Sequence, residues 1–419
     1  MRALVLVVAV GCARPAVPGV GDVPTAPPRD AMRQYTVWLG GARIGTARES
    51  ETWTASGVTL RRVETLRFLR GDSAVDVATT IEIEANAALV PERVRWTELA
   101  GAARTAEATH DARGWHSETL TTGVSLAADA VPADALPAEL VPLLVRRDRR
   151  FAGDVFLVAQ GFIGGPARVE AIAPRRMIAR VEIGTTPAEA TIDLADDGMP
   201  ERVVDGEGVI ELRATEGVAA APFAPVDLIA ATSIPIRGRR GHALVLDGEL
   251  ALPAVPGQRA VPGAGGMLVE LDAALPGDLP PGAPGPDRTR AIAAIVARVR
   301  ARITPSLAGA PASSRDAHAV AGDCTTFALA YAALATARGI PTRVVTGLRV
   351  DRDRLVRHRW AISWTGARWI AVDAAFAAAP AGGDLVGLAV HDADAAGLVS
   401  GEAALSSVHA ASWARPDAD

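Results

Sequence analysis

The 419-residue chain contains no lysine and a single asparagine, Asn86, so arginine supplies every permanently cationic side chain. We interpret both scarcities as the codon usage of a GC-rich genome. The formal net charge is −5, and no basic stripe stands out along the chain. This charge distribution argues against a protein that binds nucleic acid.

Cysteine is almost as scarce, because only Cys12 and Cys324 are present. Residues 3–10 form an apolar run that is too short to span a membrane. Residues 9–12 are similar to the lipobox of bacterial lipoprotein signals. We therefore predict a signal peptide over residues 1–11, lipid modification of Cys12, and a tether over residues 12–30. The alternatives are an ordinary secretory signal or a misassigned start codon.

Localisation follows from that N-terminal prediction. An acyl anchor on Cys12 attaches a protein to a membrane without a transmembrane helix. We expect the protein on the periplasmic side of the cell envelope, or secreted if Cys12 is not modified. A disulfide between the two cysteines is not expected, because Cys12 lies in the targeting segment.

Period-two hydrophobic patterns dominate residues 31–218, which we predict to form an antiparallel all-β domain. Gly40 and Gly41 separate two such patterns and indicate a hairpin. One helix is expected over residues 137–146, and the basic run at 146–150 is interpreted as a solvated face. The strand pattern is loosely similar to β-clam periplasmic domains that hold lipid or a partner. The alternative is a rigid spacer.

Pro/Gly-rich sequence follows this domain. Residues 219–286 are predicted to contain transitional strands and then a linker. A helix is expected from Asp287 to about Ile303, because apolar residues recur there at helical spacing. Residues 377–419 are predicted to be an extension with a strand near 385–390 and a helix near the end.

Cys324 stands in Gly-Asp-Cys-Thr-Thr, directly before an apolar run that ends at Gly339 and Pro341. This pattern places Cys324 in the first turn of a helix. There the helix dipole and the free N–H groups favour a thiolate. The same N–H groups can stabilise an oxyanion on a carbonyl that the sulfur attacks.

His358 and Asp373 are predicted near the adjoining ends of two antiparallel strands. In that arrangement His358 can take the proton of Cys324 and later protonate a leaving amine, while Asp373 orients the imidazole. These are the residue types of a thiol acyl-transfer enzyme. Trp360 is a tentative substrate-binding residue, with core packing as its alternative role.

The motifs around these residues resemble the bacterial transglutaminase-like superfamily over roughly residues 288–376. They are Gly-Asp-Cys at 322–324, Arg-Gly-Ile-Pro-Thr at 338–342, His-x-Trp at 358–360 and Trp-x-x-x-Asp at 369–373. The resemblance implies a papain-like α+β domain with Cys324 as nucleophile, His358 as general acid and base, and Asp373 as orienting residue. Arg359 departs from the family pattern, and it either changes access to the site, favours an acidic substrate or occupies a solvated strand position.

The predicted fold class is therefore multidomain, with an N-terminal antiparallel all-β domain and a transglutaminase-like catalytic domain over residues 287–376. The expected reaction is acyl transfer or hydrolysis on protein or peptide amides through a Cys324 thioester. Neither a cofactor nor a metal is expected. The alternatives are a non-catalytic envelope binding or scaffold protein, and a carrier of lipid or peptide in the β domain.

Overall fold

Strands outnumber helices in the computed structural model of the chain. The structure describes residues 30–414, apart from 72, 101, 121–130, 149, 159–161, 184–185, 197, 207, 218–225, 249, 264 and 306–320. The described residues form two compact units, of which the first ends at Ala231 and the second begins at Thr232. No helix in the described part of the chain is long and apolar enough to cross a membrane.

The first unit is built on one fourteen-stranded sheet. Its strands are β1 (Ala31–Leu39), β2 (Ala42–Trp53), β3 (Gly57–Arg70), β4 (Ser73–Asn86), β5 (Pro91–Ala100), β6 (Ala102–Asp111), β7 (Gly114–Leu120), β8 (Leu136–Pro137), β9 (Phe151–Leu157), β10 (Ile163–Ala173), β11 (Arg176–Ile183), β12 (Thr186–Leu194), β13 (Pro200–Asp205) and β14 (Ile210–Thr215). Its helices are a 3-10 helix (Ala138–Leu140), α1 (Val141–Asp148) and α2 (Leu228–Ala231).

Two meanders make up this sheet, β7 to β1 and β14 to β8, and they are joined where β1 pairs with β14. Neighbouring strands are antiparallel except for the short parallel pair β8–β9. The hairpin prediction at Gly40 and Gly41 is confirmed, because both glycines have the positive φ angles that a two-residue hairpin turn requires. The large N-terminal sheet agrees with the predicted β region, and the predicted helix corresponds to the 3-10 helix and α1.

The sheet curves around its buried face. Side chains alternate strictly along β4, with every second residue buried. Ile83 on β4 and Phe156 on β9 share one hydrophobic cluster, although nine positions in the strand order separate their strands. A flat sheet could not bring them together, so the two meanders enclose a common core.

The second unit combines a ten-stranded sheet, a separate two-stranded parallel sheet and three helices. Its strands are β15 (Ile234–Arg237), β16 (Ala243–Asp247), β17 (Gln258–Gly263), β18 (Gly266–Leu271), β19 (Thr304–Pro305), β20 (Ala321–Gly322), β21 (Thr342–Asp351), β22 (Arg354–Trp364), β23 (Trp369–Asp373), β24 (Ala378–Ala381), β25 (Leu385–His391) and β26 (Ala410–Trp413). Its helices are α3 (Thr289–Arg300), α4 (Cys324–Thr336) and α5 (Ala395–Leu405). The main strand order is β17-β18-β16-β26-β15-β22-β21-β25, while β23 pairs with β22 and β24 with β23.

Helix α4 is apolar around most of its circumference, as expected for a helix buried in a core. Phe327 and Tyr331 pack in a cluster with residues of α3, β22 and β23, such as Ile292 and Val372. Leu329 packs in a different cluster with residues of β21 and α5. Helix α4 therefore has apolar neighbours on several sides, which fixes its position in the unit.

The structure corrects the predicted roles of two flanking segments. Strands β15 to β18, which were expected to be transitional, belong to the sheet of the second unit. The Pro/Gly-dense segment expected to be a linker lies against that sheet, where Trp364 and Trp369 donate indole hydrogen bonds to the carbonyls of Ala283 and Pro280. The C-terminal segment contributes β26 between β16 and β15, so it is an integral part of the sheet.

Candidate active site

Cys324 is the first residue of helix α4, as predicted. The helix begins there because the buried carboxylate of Asp323 caps it, accepting N–H bonds from Thr325 at 3.0 Å and Thr326 at 3.3 Å. Gly322 allows this tight turn, since a Cβ at that position would lie 2.3 Å from the Thr326 hydroxyl oxygen. The Cys324 thiol is free and half-buried, which leaves part of it within reach of solvent.

His358 and Asp373 form a buried pair beside this thiol. His358 lies on β22, and Asp373 is the last residue of β23. The Nε2 of His358 donates a hydrogen bond of 2.7 Å to Oδ2 of Asp373. The other carboxylate oxygen of Asp373 accepts N–H bonds from Ala375 and Phe376 at 3.1 and 3.4 Å. Both oxygens of Asp373 are therefore fixed, and the imidazole orientation is fixed with them.

The charge state of His358 depends on both partners. Burial by itself lowers the pKa of His358, but the hydrogen bonds to Asp373 and Cys324 and the charges of these groups outweigh burial and raise the pKa to about 9. Because Nε2 is bonded to Asp373, Nδ1 is the ring nitrogen left for the thiol. An imidazolium at this position places a positive charge beside the Cys324 sulfur.

Two aromatic rings flank His358. Trp360 is 1% exposed and stacks near the imidazole, with 6.0 Å between ring centroids. Phe376 meets the imidazole edge-on at 5.5 Å, is 57% exposed, and carries the guanidinium of Arg349 3.4 Å above its ring. The substrate-binding role of Trp360 stays a prediction, because so buried a ring would touch a substrate only after a rearrangement. Phe376, which the sequence motifs did not indicate, is the exposed aromatic residue of the site.

Arg359 is buried and each of its three guanidinium nitrogens donates a hydrogen bond, so the prediction of a solvated strand position was wrong. It donates to Thr346 Oγ1 at 2.8 Å, to Thr325 Oγ1 at 2.9 Å and to Glu402 Oε1 at 2.7 Å. Thr346 in turn is hydrogen-bonded to Nε2 of His391 at 2.8 Å. Arg359 thereby connects the residue after Cys324 to strand β21 and helix α5. The departure of Arg359 from the family pattern was the available sequence signal for this network.

The backbone at the helix start offers fewer oxyanion donors than expected. The N–H groups of Thr325 and Thr326 are directed to the Asp323 carboxylate. The Cys324 amide therefore remains as the donor of that turn closest to the sulfur. Among the described residues, no group of three or more His, Cys, Asp or Glu side chains is arranged to hold a metal ion. Cys12, the predicted lipidation site, lies outside the described residues.

Comparison with known proteins bears on this site directly. Residues 282–374 match the family described as the transglutaminase-like superfamily. These residues form a transglutaminase-like superfamily domain. The domain contains Cys324, His358 and Asp373, which the structure brings together, and it comprises helices α3 and α4 and strands β19 to β23.

Outside this domain the comparisons give little. The curated proteins contain no match to the chain. One solved structure with some likeness is a DUF1089 family protein from Pseudomonas aeruginosa, which is 11% identical and covers 44% of this chain and 95% of its own. Its TM-score of 0.27 is too low to carry an argument.

Proposed function

We propose that the transglutaminase-like domain catalyses thiol-dependent acyl transfer or hydrolysis on protein or peptide amides. The observation that carries this proposal is the buried His358–Asp373 pair at 2.7 Å with Cys324 as the second hydrogen-bond partner of the imidazole. A half-buried thiol at a helix N-terminus, beside an imidazolium with a fixed orientation, is the arrangement of an activated nucleophile. The papain-like topology that the family resemblance implies is part of the same proposal.

The reaction follows from the positions of the three groups. The Cys324 sulfur attacks the amide carbonyl carbon, and the carbonyl oxygen becomes an oxyanion near the Cys324 N–H. The His358 imidazolium gives its proton to the amide nitrogen, so the C–N bond breaks and a free amine leaves. The product on the enzyme is a thioester with Cys324.

The second half of the reaction reverses these roles. Neutral His358 takes a proton from water or from an acceptor amine, which attacks the thioester carbon and releases the thiolate. Water yields a carboxylic acid, and an amine yields a new amide. If transglutamination occurs, the acceptor lysine has to come from another protein, because this chain contains none.

Alkylation of Cys324 tests whether the thiol is activated. The full chain with Cys12→Ser has Cys324 as its only cysteine. We expect iodoacetamide to react rapidly from pH 6 to 8, below the ordinary thiol pKa of about 8.5. His358→Ala should remove this fast reaction, whereas His409→Ala, which changes an exposed histidine of the same unit, should retain it.

The outcome separates an enzyme from a binding or scaffold protein. If alkylation rises only near pH 8.5 and His358→Ala reacts like the unchanged chain, the catalytic proposal is wrong. If the thiol is activated, hydroxylamine added with a glutamine-containing peptide should give a hydroxamate by transfer, while hydrolysis gives the acid. The ratio of these products identifies the preferred acceptor.

The location of the protein belongs to the same proposal and depends on the sequence around Cys12. A lipid-modified Cys12 followed by the tether would hold both units at the periplasmic side of a membrane. Mass spectrometry of the mature N-terminal peptide tests this directly. A diacylglyceryl group on Cys12 is expected, and an unmodified N-terminus would indicate a secreted protein.

A further inference from the structure

A cavity of about 210 Å³ lies in the first unit, within the curve of its sheet. Most of its lining is apolar and comes from strands of both meanders and from α1. Representative residues are Leu60, Ile81, Leu143, Leu157, Val169 and Met177. Since one water needs about 10–15 Å³ of such volume, the cavity of about 210 Å³ has room for roughly 14 to 21 water-sized groups. That is the size of a small single-chain amphiphile.

Charged side chains also line this cavity, and most of them are paired. Arg62 binds Glu49 at 3.1 Å and Glu64 at 2.7 Å. Arg146 binds Glu51 at 2.6 Å, so the interpretation of its basic run as a solvated face was wrong at this residue. These ion pairs form a polar wall in an otherwise apolar chamber.

A third arginine of the lining, Arg180, is 3.4 Å from Glu189, which does not line the cavity. Four carboxylates and three guanidiniums therefore line the chamber, and one of those guanidiniums has a carboxylate partner outside it. With Glu139 ionised, the balance of charge in the lining is negative, and a cation bound beside Glu139 favours that ionised form. An anionic ligand would be repelled, and a cationic one attracted.

Two polar side chains of the lining have no hydrogen bond to another described residue, although the backbone N–H of Glu139 acts on its own carboxyl group. Both carboxylate oxygens of Glu139 are buried, each with less than 1 Å² exposed. The hydroxyl oxygen of the buried Thr79 also has less than 1 Å² exposed and has no hydrogen-bond partner among the described residues. Burial raises the pKa of the Glu139 carboxyl. A buried polar group without a partner costs about 1–3 kcal/mol, so two of them beside an open chamber point to a ligand that completes their hydrogen bonds.

We propose that this cavity binds a single-chain amphiphile with an apolar tail and an ammonium head group. The tail occupies the apolar lining, and the ammonium donates hydrogen bonds to the Glu139 carboxylate and the Thr79 hydroxyl. An ammonium has three donors and no acceptor, which matches two acceptors in a negatively charged wall. This site is independent of the thiol chemistry, because all of its lining residues belong to the first unit.

Calorimetric titration of the full chain with decylamine tests the site, with decanoate as a tail-matched ligand of opposite charge. Both are used below the concentration at which they self-associate. We expect one decylamine per chain and at least tenfold weaker binding of decanoate. Glu139→Gln keeps the shape of the side chain and should weaken decylamine binding at least tenfold. Glu182→Gln, an exposed carboxylate on β11, should leave it unchanged.

A second variant tests the cavity itself. Ala179 lies on β11 and lines the chamber, so Ala179→Phe should fill it and abolish binding of both amphiphiles. If neither amphiphile binds the unchanged chain, the cavity is not this ligand site. If decanoate binds as tightly as decylamine, or if Glu139→Gln retains full affinity for decylamine, the assignment of the ammonium head group is overturned. Those results stand even if Ala179→Phe fails to fold.

Discussion

The candidate active site of the second unit and the cavity of the first differ in how one buried carboxylate is partnered. In the second unit, the buried His358 is hydrogen-bonded to the buried Asp373. The buried Arg359 is hydrogen-bonded to Thr346. In the first unit, the carboxylate of Glu139 is buried beside a cavity without a partner. A completed network fixes the geometry of a reactive group, whereas an incomplete one next to an empty volume leaves hydrogen bonds for a ligand.

The largest expected effect concerns the orientation of His358. Asp373→Asn keeps the size of the side chain but removes the negative charge that stabilises the imidazolium. Turnover of a peptide amide should fall by on the order of 10⁴-fold. Steady-state kinetics measures this, with the exposed Asp353→Asn on the same unit as control. A loss of turnover below tenfold would show that the charge of Asp373 contributes little to catalysis.

The next effect concerns stability. Arg359→Met removes the hydrogen bonds to Thr346 and Thr325, whereas Glu402 is 48% exposed and can be solvated, so the expected cost is about 1–3 kcal/mol. Arg343 on β21 makes only an exposed pair with Asp392 at 3.8 Å, so Arg343→Met should cost less than about 1 kcal/mol. Amide hydrogen exchange in the second unit measures both. If the two variants lose the same free energy of unfolding, the burial of Arg359 does not strengthen its hydrogen bonds and ion pair.

Acidification should distinguish the units, since it acts on them with opposite signs. Burial lowers the pKa of His391 to about 4, so the unfolded chain binds more protons than the folded one between pH 6.5 and 4. The second unit should lose up to about 3 kcal/mol over that window. Glu139 has a raised pKa, so its contribution stabilises the first unit at low pH and is lost as the pH rises.

Hydrogen exchange at pH 7, 5.5 and 4 follows each unit separately. His391→Gln should reduce the acid sensitivity of the second unit, and Glu139→Gln should remove the gain of the first unit at low pH. If both units respond alike in the unchanged chain and in these variants, the contrast between a completed and an incomplete network is wrong.

The smallest effect concerns the start of helix α4. Asp323→Ala removes the cap on Thr325 and Thr326 and should destabilise the second unit by about 1 kcal/mol. Asp323→Asn retains an acceptor for the cap and removes a negative charge next to Cys324, so alkylation at pH 6 should become faster. A slower reaction in Asp323→Asn would show that the carboxylate, rather than the cap, supports the thiolate.

Local sequence was sufficient for much of the catalytic unit. Cys324 begins its helix because Asp323 and Gly322 provide a cap and a tight turn, both of which depend on adjacent residues. Likewise, the strands that carry His358 and Asp373 were predicted from their motifs and from the turn between them. In each case the relevant interactions are short in sequence, so the pattern of residues carries the information.

Contacts between distant residues decided the rest. Arg359 was compatible with a solvated strand until the fold placed Thr346, Thr325 and Glu402 around it. Glu51 lies 95 residues from Arg146, and their pairing places that arginine in the wall of the cavity. The burial and the electrostatic environment of a group depend on which remote side chains face it. The hydrophobic period of a single strand does not indicate which side chains these are. Local patterns therefore predicted most strands and helices and the candidate triad, whereas the fold decided which flanking segments join the sheet of the second unit and which buried charges have partners.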